Sequence, residues 1–292
     1  MAPEALASPV SIFKNIFAAS KTKANVYHVT GDIHYVVLAL PKKKTILTIH
    51  DCIFLHRSKG IKRVLLKWLF LKLPISRSQI VTTISEATKQ DILNNINCKP
   101  EKIVVIPNPV DDKIFFTPAV FRANKPVILF IGNTTHKNLA RAIPALQNIH
   151  CTINIIGKLA DDMIALLKQY QIEFINEYNL SDEEMALRYT TSDMVLFPST
   201  FEGFGLPVIE SQKAGRPVIT SNISPLKEVA GGAACLVDPL DINSIRNGVL
   251  KIINDKDYRN KLVEDGFKNA SLYSADNIAL QYLDCYKKIL KN

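Results

Sequence analysis

Short apolar runs that end in polar residues alternate with helical stretches along most of this chain. Such runs are typical of strands in a parallel sheet, because helices cover both faces of such a sheet. Between them, residues 85–96, 161–171 and 181–192 are predicted as helices. The runs that we predict as strands are residues 44–51, 79–85, 102–108, 126–133, 152–157, 172–176, 193–199, 216–222 and 233–238. The alternation predicts an α/β fold with doubly wound sheets.

A segment at residues 108–126 marks a domain boundary, because it carries three prolines, a change in charge balance and a new strand directly after it. We therefore predict a reduced domain at residues 1–112, a larger Rossmann-like domain at residues 113–274 and a final helix at residues 275–292. The length of 292 residues suits two domains of ordinary size. Ligands of such folds bind beyond the carboxyl ends of the strands, so we look for a site there.

The amino-acid composition favours a packed, cytoplasmic protein. Hydrophobic residues make up 47% of the chain, which is enough for a core and argues against disorder. No uninterrupted apolar run is long enough for a membrane span, and the first residues lack the pattern of a signal peptide. The five cysteines are scattered and include no C-x-x-C pair, which favours reduced thiols and no metal site.

Positive charge is concentrated in the first part of the chain. Residues 1–110 carry 16 Lys and Arg against 6 Asp and Glu, whereas residues 111–292 carry 20 against 21. A basic half of this kind predicts an anionic partner. Nucleic acid is not predicted, because no basic groove with interleaved aromatic residues and no nucleic-acid-binding motif is present.

The most basic stretch, residues 56–79, is predicted as an amphipathic helix. On a helical wheel Lys59, Lys62, Arg63 and Lys67 share one side, and apolar residues crowd the opposite side. This pattern is typical of a helix that lies on an anionic membrane surface. A core-packed helix with a solvated basic face is the alternative.

Two glutamates, Glu202 and Glu210, lie eight positions apart on either side of a glycine loop that follows a predicted strand. Pro207 is predicted at the first position of the next helix, where its missing N–H costs nothing. The start of this helix offers amides to an anion, and glycines let the backbone approach a ligand closely. Since a carboxylate repels phosphate, the glutamates are expected to bind neutral hydroxyl groups. A diphosphate flanked by a sugar and a ribose would fit both.

With this loop the chain resembles glycosyltransferase family 4, whose members share an E-x7-E motif. The resemblance implies a retaining enzyme of the GT-B fold, in which two Rossmann-like domains face a central cleft. It covers roughly residues 27–290, and it implies that the final helix at residues 275–292 crosses back to the N-terminal domain. Further segments that resemble motifs of the family follow one another at residues 47–51, 83–92, 104–111, 128–139 and 223–239.

The resemblance also implies roles for individual residues. Glu210 would bind the ribose hydroxyls of the donor nucleotide, Glu202 the hydroxyls of the donor sugar, and Lys137 the diphosphate. The implied catalytic residues are Glu202, His50 and Lys137. The implied donor-binding residues are Glu210, Gly203, Phe204, Gly205, Leu206, Gly132 and Asn133, and His34 and Asp51 are implied on the acceptor or sugar side. The alternatives are an exposed helix residue for Glu210, a solvated loop lysine for Lys137 and a core histidine for His50.

The implied function is that of a hexosyltransferase that moves a sugar from a nucleoside-diphosphate sugar to a glycan or polyprenyl-linked acceptor in surface polysaccharide synthesis. The resemblance implies no metal or other cofactor, and a peripheral place on the inner face of the membrane. Only about 25 residues precede the segment VYHVTGDIHY, so we expect a truncated N-terminal domain. This departure leaves a non-catalytic or partner-dependent sugar-nucleotide-binding subunit as the alternative. A dehydrogenase would need G-x-G-x-x-G, which is absent.

Overall fold

The computed structural model describes residues 8–56 and 58–291, without the side chains of Pro9 and His56. Residues 1–7 of the predicted N-terminal domain, Arg57 of the predicted basic helix and Asn292 of the final helix lie outside the described residues. Contacts between residues divide the chain into two compact units. Unit 1 contains the described residues up to 107 and those from 278 onward, and unit 2 contains residues 108–277.

Each unit contains one parallel sheet. The strands lie in the order β1-β2-β3-β4 in unit 1 and β10-β9-β8-β5-β6-β7 in unit 2. They are β1 (Tyr27–Val29), β2 (Thr45–Ile49), β3 (Ile80–Thr83), β4 (Ile103–Val105), β5 (Val127–Ile131), β6 (Thr152–Ile156), β7 (Glu173–Glu177), β8 (Met194–Phe197), β9 (Val218–Ser221) and β10 (Cys235–Val237). The nine predicted strands are confirmed as β2 to β10. Strand β1 escaped prediction, because it has only three residues and lies at the edge of its sheet.

The α-helices pack on these sheets. They are α1 (Pro9–Ser20), α2 (Ile53–His56), α3 (Gly60–Lys67), α4 (Leu73–Arg77), α5 (Glu86–Asn95), α6 (Leu139–Ala145), α7 (Asp161–Gln169), α8 (Asp182–Thr191), α9 (Leu206–Lys213), α10 (Leu226–Val229), α11 (Ile242–Asn254), α12 (Lys256–Ser271) and α13 (Ala275–Leu290). The three helices predicted between strands are confirmed as α5, α7 and α8. No helix in residues 8–56 and 58–291 combines the length and the apolar character needed to cross a membrane.

The two faces of the unit 1 sheet bury different partners, because successive residues of a strand point to opposite sides. Leu47 and Ile49 of β2 belong to a core that also includes Ile92 of α5. Ile46, on the other face of β2, packs with Ile278 and other residues of α13. The last helix therefore covers one face of the unit 1 sheet.

The predicted basic helix is interrupted in the structure. Helix α2 ends at His56, α3 begins at Gly60, and a π-helical turn at Trp68–Lys72 separates α3 from α4. The π turn changes the angular step per residue, so the helical wheel fails beyond Lys67. Val64 and Leu65, which the wheel places opposite the lysines, are exposed.

The order in which successive strands are added to the unit 2 sheet reverses at β5. Strand β5 pairs with β6 on one side and with β8 on the other. At such a switch point the loops that leave two neighbouring strands diverge to opposite faces and open a crevice at the carboxyl edge of the sheet. The loops after β5 and β8 carry most of the residues predicted for donor binding.

Candidate functional site

The loops after β5 and β8 are joined by hydrogen bonds. The backbone N–H of Thr200, after β8, donates to the carbonyl oxygen of His136, after β5, at 2.8 Å. The Thr200 hydroxyl donates to the same oxygen at 3.2 Å. These contacts bring two segments together that are more than 60 residues apart in sequence.

Lys137 and Glu202 form an ion pair at this edge of the sheet. The Nζ atom of Lys137 lies 2.6 Å from Oε1 of Glu202, and the two side chains are only 18% and 12% exposed. The same ammonium group lies 4.5 Å from the ring centroid of Phe197 at the end of β8, a cation–π contact. Lys137 is therefore not a solvated loop lysine. A cation and a hydrogen-bond acceptor for hydroxyl groups thus lie side by side, largely shielded from solvent.

Gly132 makes room for the lysine. Its φ is +105°, and a Cβ atom built on it would lie 2.6 Å from Cγ of Lys137. The aliphatic part of the lysine thus lies against the glycine backbone, and a side chain there would displace the ammonium group. Beside it, Asn133 donates from Nδ2 to the carbonyl oxygen of Lys158 at 2.7 Å, which fixes the next residue of the loop.

The glycine loop after β8 leads into α9 as predicted, with one difference. Gly205 has φ +109° and precedes the helix, which begins at Leu206. Pro207 is therefore its second residue, not its first. The N–H of Val208 bonds to the carbonyl oxygen of Gly205 at 3.0 Å. Of the first three helical residues, Leu206 alone offers a backbone N–H to an anion.

Two residues predicted in this loop differ in environment. Phe204 is buried, and its ring meets that of Tyr273 edge to face with centroids 5.9 Å apart. Gly203 is half-buried. Phe204 thus anchors the loop to the interior of unit 2 through its side chain, and any contact of this residue with a ligand would involve its backbone.

Glu210 is half-buried in the second turn of α9 and has a partner that the sequence did not indicate. The hydroxyl of Tyr189, a buried residue of α8, donates to Oε2 of Glu210 at 2.5 Å. Burial raises the pKa of Glu210 above its usual value, whereas the bond from Tyr189 opposes this rise. One carboxylate oxygen is therefore held by the protein, and its orientation is fixed.

Asn138 is a second residue that sequence reasoning missed. It is buried in the left-handed conformation, with φ 70°, directly before α6. Its Nδ2 donates to the carbonyl oxygens of Pro198 and Pro239 at 3.0 and 2.6 Å, and its Oδ1 accepts from Arg141 at 3.0 Å. Asn138 thus connects the loops after β5, β8 and β10. The one indication in the sequence is an amide side chain directly after Lys137, in the loop that follows a predicted strand.

In unit 1, His50 and Asp51 follow β2 at the carboxyl edge of the sheet. Nε2 of His50 lies 2.7 Å from the carbonyl oxygen of Thr30. Because a carbonyl only accepts, Nε2 of His50 carries a hydrogen. Asp51 accepts the N–H of Ile53 at 2.8 Å, which sets the start of α2.

His34 lies beside Asp51 on a cavity of about 290 Å³. The side chains of Asp32, Phe54 and Phe70 also line this cavity. Nδ1 of His34 donates to the carbonyl oxygen of Phe70 at 2.8 Å, and Nε2 is buried without a partner among the described residues. His34 is 3% exposed, and burial lowers its pKa, so the ring is neutral. A buried acceptor nitrogen of this kind calls for a hydrogen-bond donor that the described residues do not supply.

Comparison with protein-family models identifies the family of this chain. The model described as "Glycosyl transferases group 1" matches residues 111–269, more than half of the chain. The chain belongs to the group 1 glycosyl transferases. A second model, "Glycosyltransferase Family 4", matches residues 2–114. The matched ranges of this group 1 member contain every predicted site residue.

Curated relatives of this group 1 chain include mannosyltransferases. It is 26% identical over 71% of its length to the MMP alpha-(1->4)-mannosyltransferase of Mycolicibacterium hassiacum and covers 54% of that protein. It is 29% identical over 70% of its length to the O-antigen chain mannosyltransferase RfbU of Salmonella typhimurium and covers 60% of it. The chain thus spans little more than half the length of these relatives.

Solved structures similar to this group 1 chain share its fold. A glycosyltransferase from Rickettsia africae has a TM-score of 0.78 at 20% identity, over 99% of this chain and 84% of that one. Anabaena Alr3699/HepE, solved with UDP and glucose, has a TM-score of 0.78 at 17% identity, over 96% and 82%. The predicted GT-B fold, with a Rossmann-like sheet in each unit, is confirmed.

Proposed function

We propose that this chain is a retaining hexosyltransferase that takes a sugar from a nucleoside-diphosphate sugar. The observation that carries the proposal is the mostly buried pair of Lys137 and Glu202, with Glu202 in the loop that leads to the helix start at Leu206. An ammonium group and a backbone N–H suit a diphosphate, and a carboxylate suits sugar hydroxyls. Tyr189 donates a hydrogen bond to one carboxylate oxygen of Glu210, and the other oxygen can accept hydrogen bonds from the ribose hydroxyls.

The reaction breaks the bond between the anomeric carbon and the diphosphate oxygen and forms one to an acceptor hydroxyl oxygen. The acceptor proton passes to the leaving diphosphate, and the sugar reacts on one face, so its anomeric configuration is kept. Negative charge grows on the diphosphate in the transition state, and Lys137 stabilises it more strongly there than in the ground state. Since Lys137 supplies the positive charge, we propose that no bound metal is required.

The relatives named as mannosyltransferases make mannose the first donor sugar to test. We expect one of GDP-mannose, UDP-glucose and related donors to raise the melting temperature of the chain, because a ligand that binds the native state stabilises it. With that donor and EDTA present throughout, we expect release of the nucleoside diphosphate. Proton NMR of the glycoside formed should show an unchanged anomeric configuration.

Stabilisation by a donor without any release or transfer would favour the non-catalytic subunit instead. Inversion at the anomeric carbon would overturn the retaining reaction, and loss of activity in EDTA that returns with a divalent metal would overturn the metal-free reaction. If no donor shifted the melting temperature, the proposal as a whole would fail.

We further propose that the cavity beside His34 receives the acceptor. In this proposal Nε2 of His34 accepts a hydrogen bond from a hydroxyl group, and the rings of Phe54 and Phe70 offer an apolar wall on which a sugar ring can lie. His50 and Asp51 border the same edge of the sheet. A glycan or a lipid-linked sugar has the hydroxyls and ring faces that such a cavity needs.

The His34→Asn variant tests this role. An asparagine amide keeps a donor near the Nδ1 position for the carbonyl of Phe70 but removes Nε2. Loss of one neutral hydrogen bond, worth about 1 kcal/mol, should raise the acceptor KM about 5-fold and leave the donor KM unchanged. His150→Asn is a matched control, because Nδ1 of this exposed histidine also lies near a carbonyl oxygen, that of Asn124. An unchanged acceptor KM in His34→Asn would contradict the role.

We also propose that α3 rests on the inner face of an anionic membrane. Ile61 and Trp68 are 80% and 51% exposed, and Val64 and Leu65 are exposed as well. Lysines and an arginine alternate with these apolar side chains, which is the arrangement that an interfacial helix uses. Leu66 of α3 lines the cavity beside His34. An acceptor carried by a lipid would thus find its cavity next to this surface.

Trp68 is the single tryptophan of the chain and reports on this surface directly. Its emission should shift to shorter wavelength when phosphatidylglycerol vesicles are added, but not with phosphatidylcholine alone. Each lysine near an anionic surface contributes about 1 kcal/mol, so Lys62→Gln with Lys67→Gln should weaken binding about 30-fold. The control pair Lys168→Gln with Lys256→Gln, in unit 2, should bind as the parent chain does. If the emission wavelength of Trp68 did not change with the anionic vesicles, α3 would be a solvent-exposed helix that does not bind the membrane.

A further inference from the structure

A second cavity in unit 1 is lined by four lysines. It measures about 530 Å³, and Lys42, Lys72, Lys99 and Lys102 line it together with a single acidic residue, Glu101. The volume lies in the range of small-molecule sites, about 300 to 1,000 Å³. Three of these lysines are exposed at the mouth of the cavity, and Lys102 is half-buried.

This cavity lies away from the candidate acceptor residues. Lys42 precedes β2, Ile75 precedes β3, and Lys99 and Lys102 precede β4, so all lie at the amino edge of the parallel sheet. His50 and Asp51 follow β2 and lie at the opposite, carboxyl edge. The lysine cavity is therefore a separate feature of unit 1.

Glu101 is the only acidic residue among the described residues that line this cavity. No carboxylate of the described residues lies within ion-pair distance of any of the four. The ammonium group of Lys102 donates to the carbonyl oxygen of Ile75 at 2.5 Å. Burial, and then repulsion from Lys42, lowers the pKa of Lys102. Like charges that gather around one cavity repel one another, and a multiply charged anion would relieve this repulsion.

We propose that the lysine cavity binds a phosphorylated anion. Lysine is a flexible point charge that suits phosphate oxygens, and several of them match the charge of a diphosphate or phosphate monoester. The buried side chains of Ile75 and Ile96 form an apolar wall, which suits a ligand with a carbon skeleton beside its phosphate. Such a group can belong to a soluble phosphorylated metabolite or to the headgroup of an anionic lipid.

Cys98 provides a local readout of this site. It lines the cavity and is half-exposed, whereas the other four cysteines are buried. We would measure its alkylation by iodoacetamide, a neutral reagent, through mass spectrometry of the peptide that contains it. Inorganic pyrophosphate is the soluble probe, and vesicles of phosphatidylcholine with phosphatidic acid are the lipid probe. A probe at ten times its Kd should slow alkylation about tenfold, because only the unoccupied cavity reacts.

The paired variant Lys72→Gln with Lys99→Gln should lose this protection, whereas the charge-matched pair Lys23→Gln with Lys256→Gln should keep it. Protection by pyrophosphate identifies a soluble ligand class, and protection by vesicles alone identifies a lipid headgroup. Alkylation that neither probe slows, or protection that survives in Lys72→Gln with Lys99→Gln, would overturn the proposal. Donor binding by unit 2 should be equal in both paired variants, so the outcome is independent of the transferase proposal.

Discussion

Replacing Lys137 with glutamine is expected to lower kcat about 100- to 1,000-fold, the range found when one stabilising donor is removed from a developing negative charge. The reason is the position of its ammonium group, which is mostly buried and lies 2.6 Å from Glu202. In such a place water screens charge poorly. Initial rates with saturating donor, with the amount of active protein held equal, would measure the effect.

Lys137→Gln also leaves the carboxylate of Glu202 buried without its partner, so part of any loss could come from weakened folding. The double variant Lys137→Gln with Glu202→Gln removes both charges and should regain the melting temperature while kcat stays low. Lys168→Gln, an exposed lysine of α7, is the control for a change of net charge. Glu202→Ala should also mainly lower turnover. A Lys137→Gln chain that turned over at the rate of the parent would remove the assigned role.

Glu210→Gln is expected to weaken binding of the nucleotide donor about 10- to 100-fold, because hydrogen bonds to a charged group contribute about 1.5 to 3 kcal/mol. The effect should depend on pH in the parent chain. Burial raises the pKa of Glu210, so donor affinity should fall as the pH drops towards this raised value, above the range of an ordinary glutamate. Titration calorimetry at a series of pH values would show this acid limb, and Glu210→Gln should lack it.

Tyr189→Phe is the matched variant for this prediction. Its hydroxyl donates to the carboxylate of Glu210, which favours the charged form, so its removal should raise the pKa of Glu210 further. The acid limb should then move to higher pH, a change that a purely structural role of Tyr189 does not produce. An acid limb at the same pH in parent and Tyr189→Phe would show that this bond does not tune Glu210.

The stability of the fold should follow the same sign. A carboxyl group whose pKa is higher in the folded than in the unfolded state binds more protons when folded. The contribution of Glu210 to stability is therefore most favourable at acid pH and declines as the pH rises from the ordinary glutamate pKa through the raised one. In Glu210→Gln this contribution disappears from the pH profile.

The strands and the E-x7-E loop could be predicted from the sequence, because both depend on local patterns. A buried strand needs only a run of apolar residues, and Gly205 precedes α9 with a positive φ that a glycine adopts without strain. The exact helix start was off by one residue, since that same conformation places Leu206, not Pro207, at the first helical position. Strand β1 was too short to leave a pattern.

The contacts that complete the site could not be predicted, because they join distant segments. Lys137 meets Glu202 only because β5 and β8 are neighbours at the switch point, and sequence order does not reveal which strands pair. Tyr189 resembles any core residue of an amphipathic helix until its hydroxyl is seen to donate to Glu210. The lysine cavity could not be predicted either, because it is lined by residues that precede three different strands.

The closed ion pair between Lys137 and Glu202 has a consequence for turnover. A donor must separate the two groups, and it compensates both only if it brings phosphate oxygens for the ammonium and sugar hydroxyls for the carboxylate. Once the sugar has left, the nucleoside diphosphate offers phosphate oxygens to Lys137 but no sugar hydroxyls to Glu202. The carboxylate of Glu202 then competes with the phosphate for the ammonium group of Lys137. The spent nucleotide should thus be held less tightly than the intact donor, which would speed its departure and limit product inhibition.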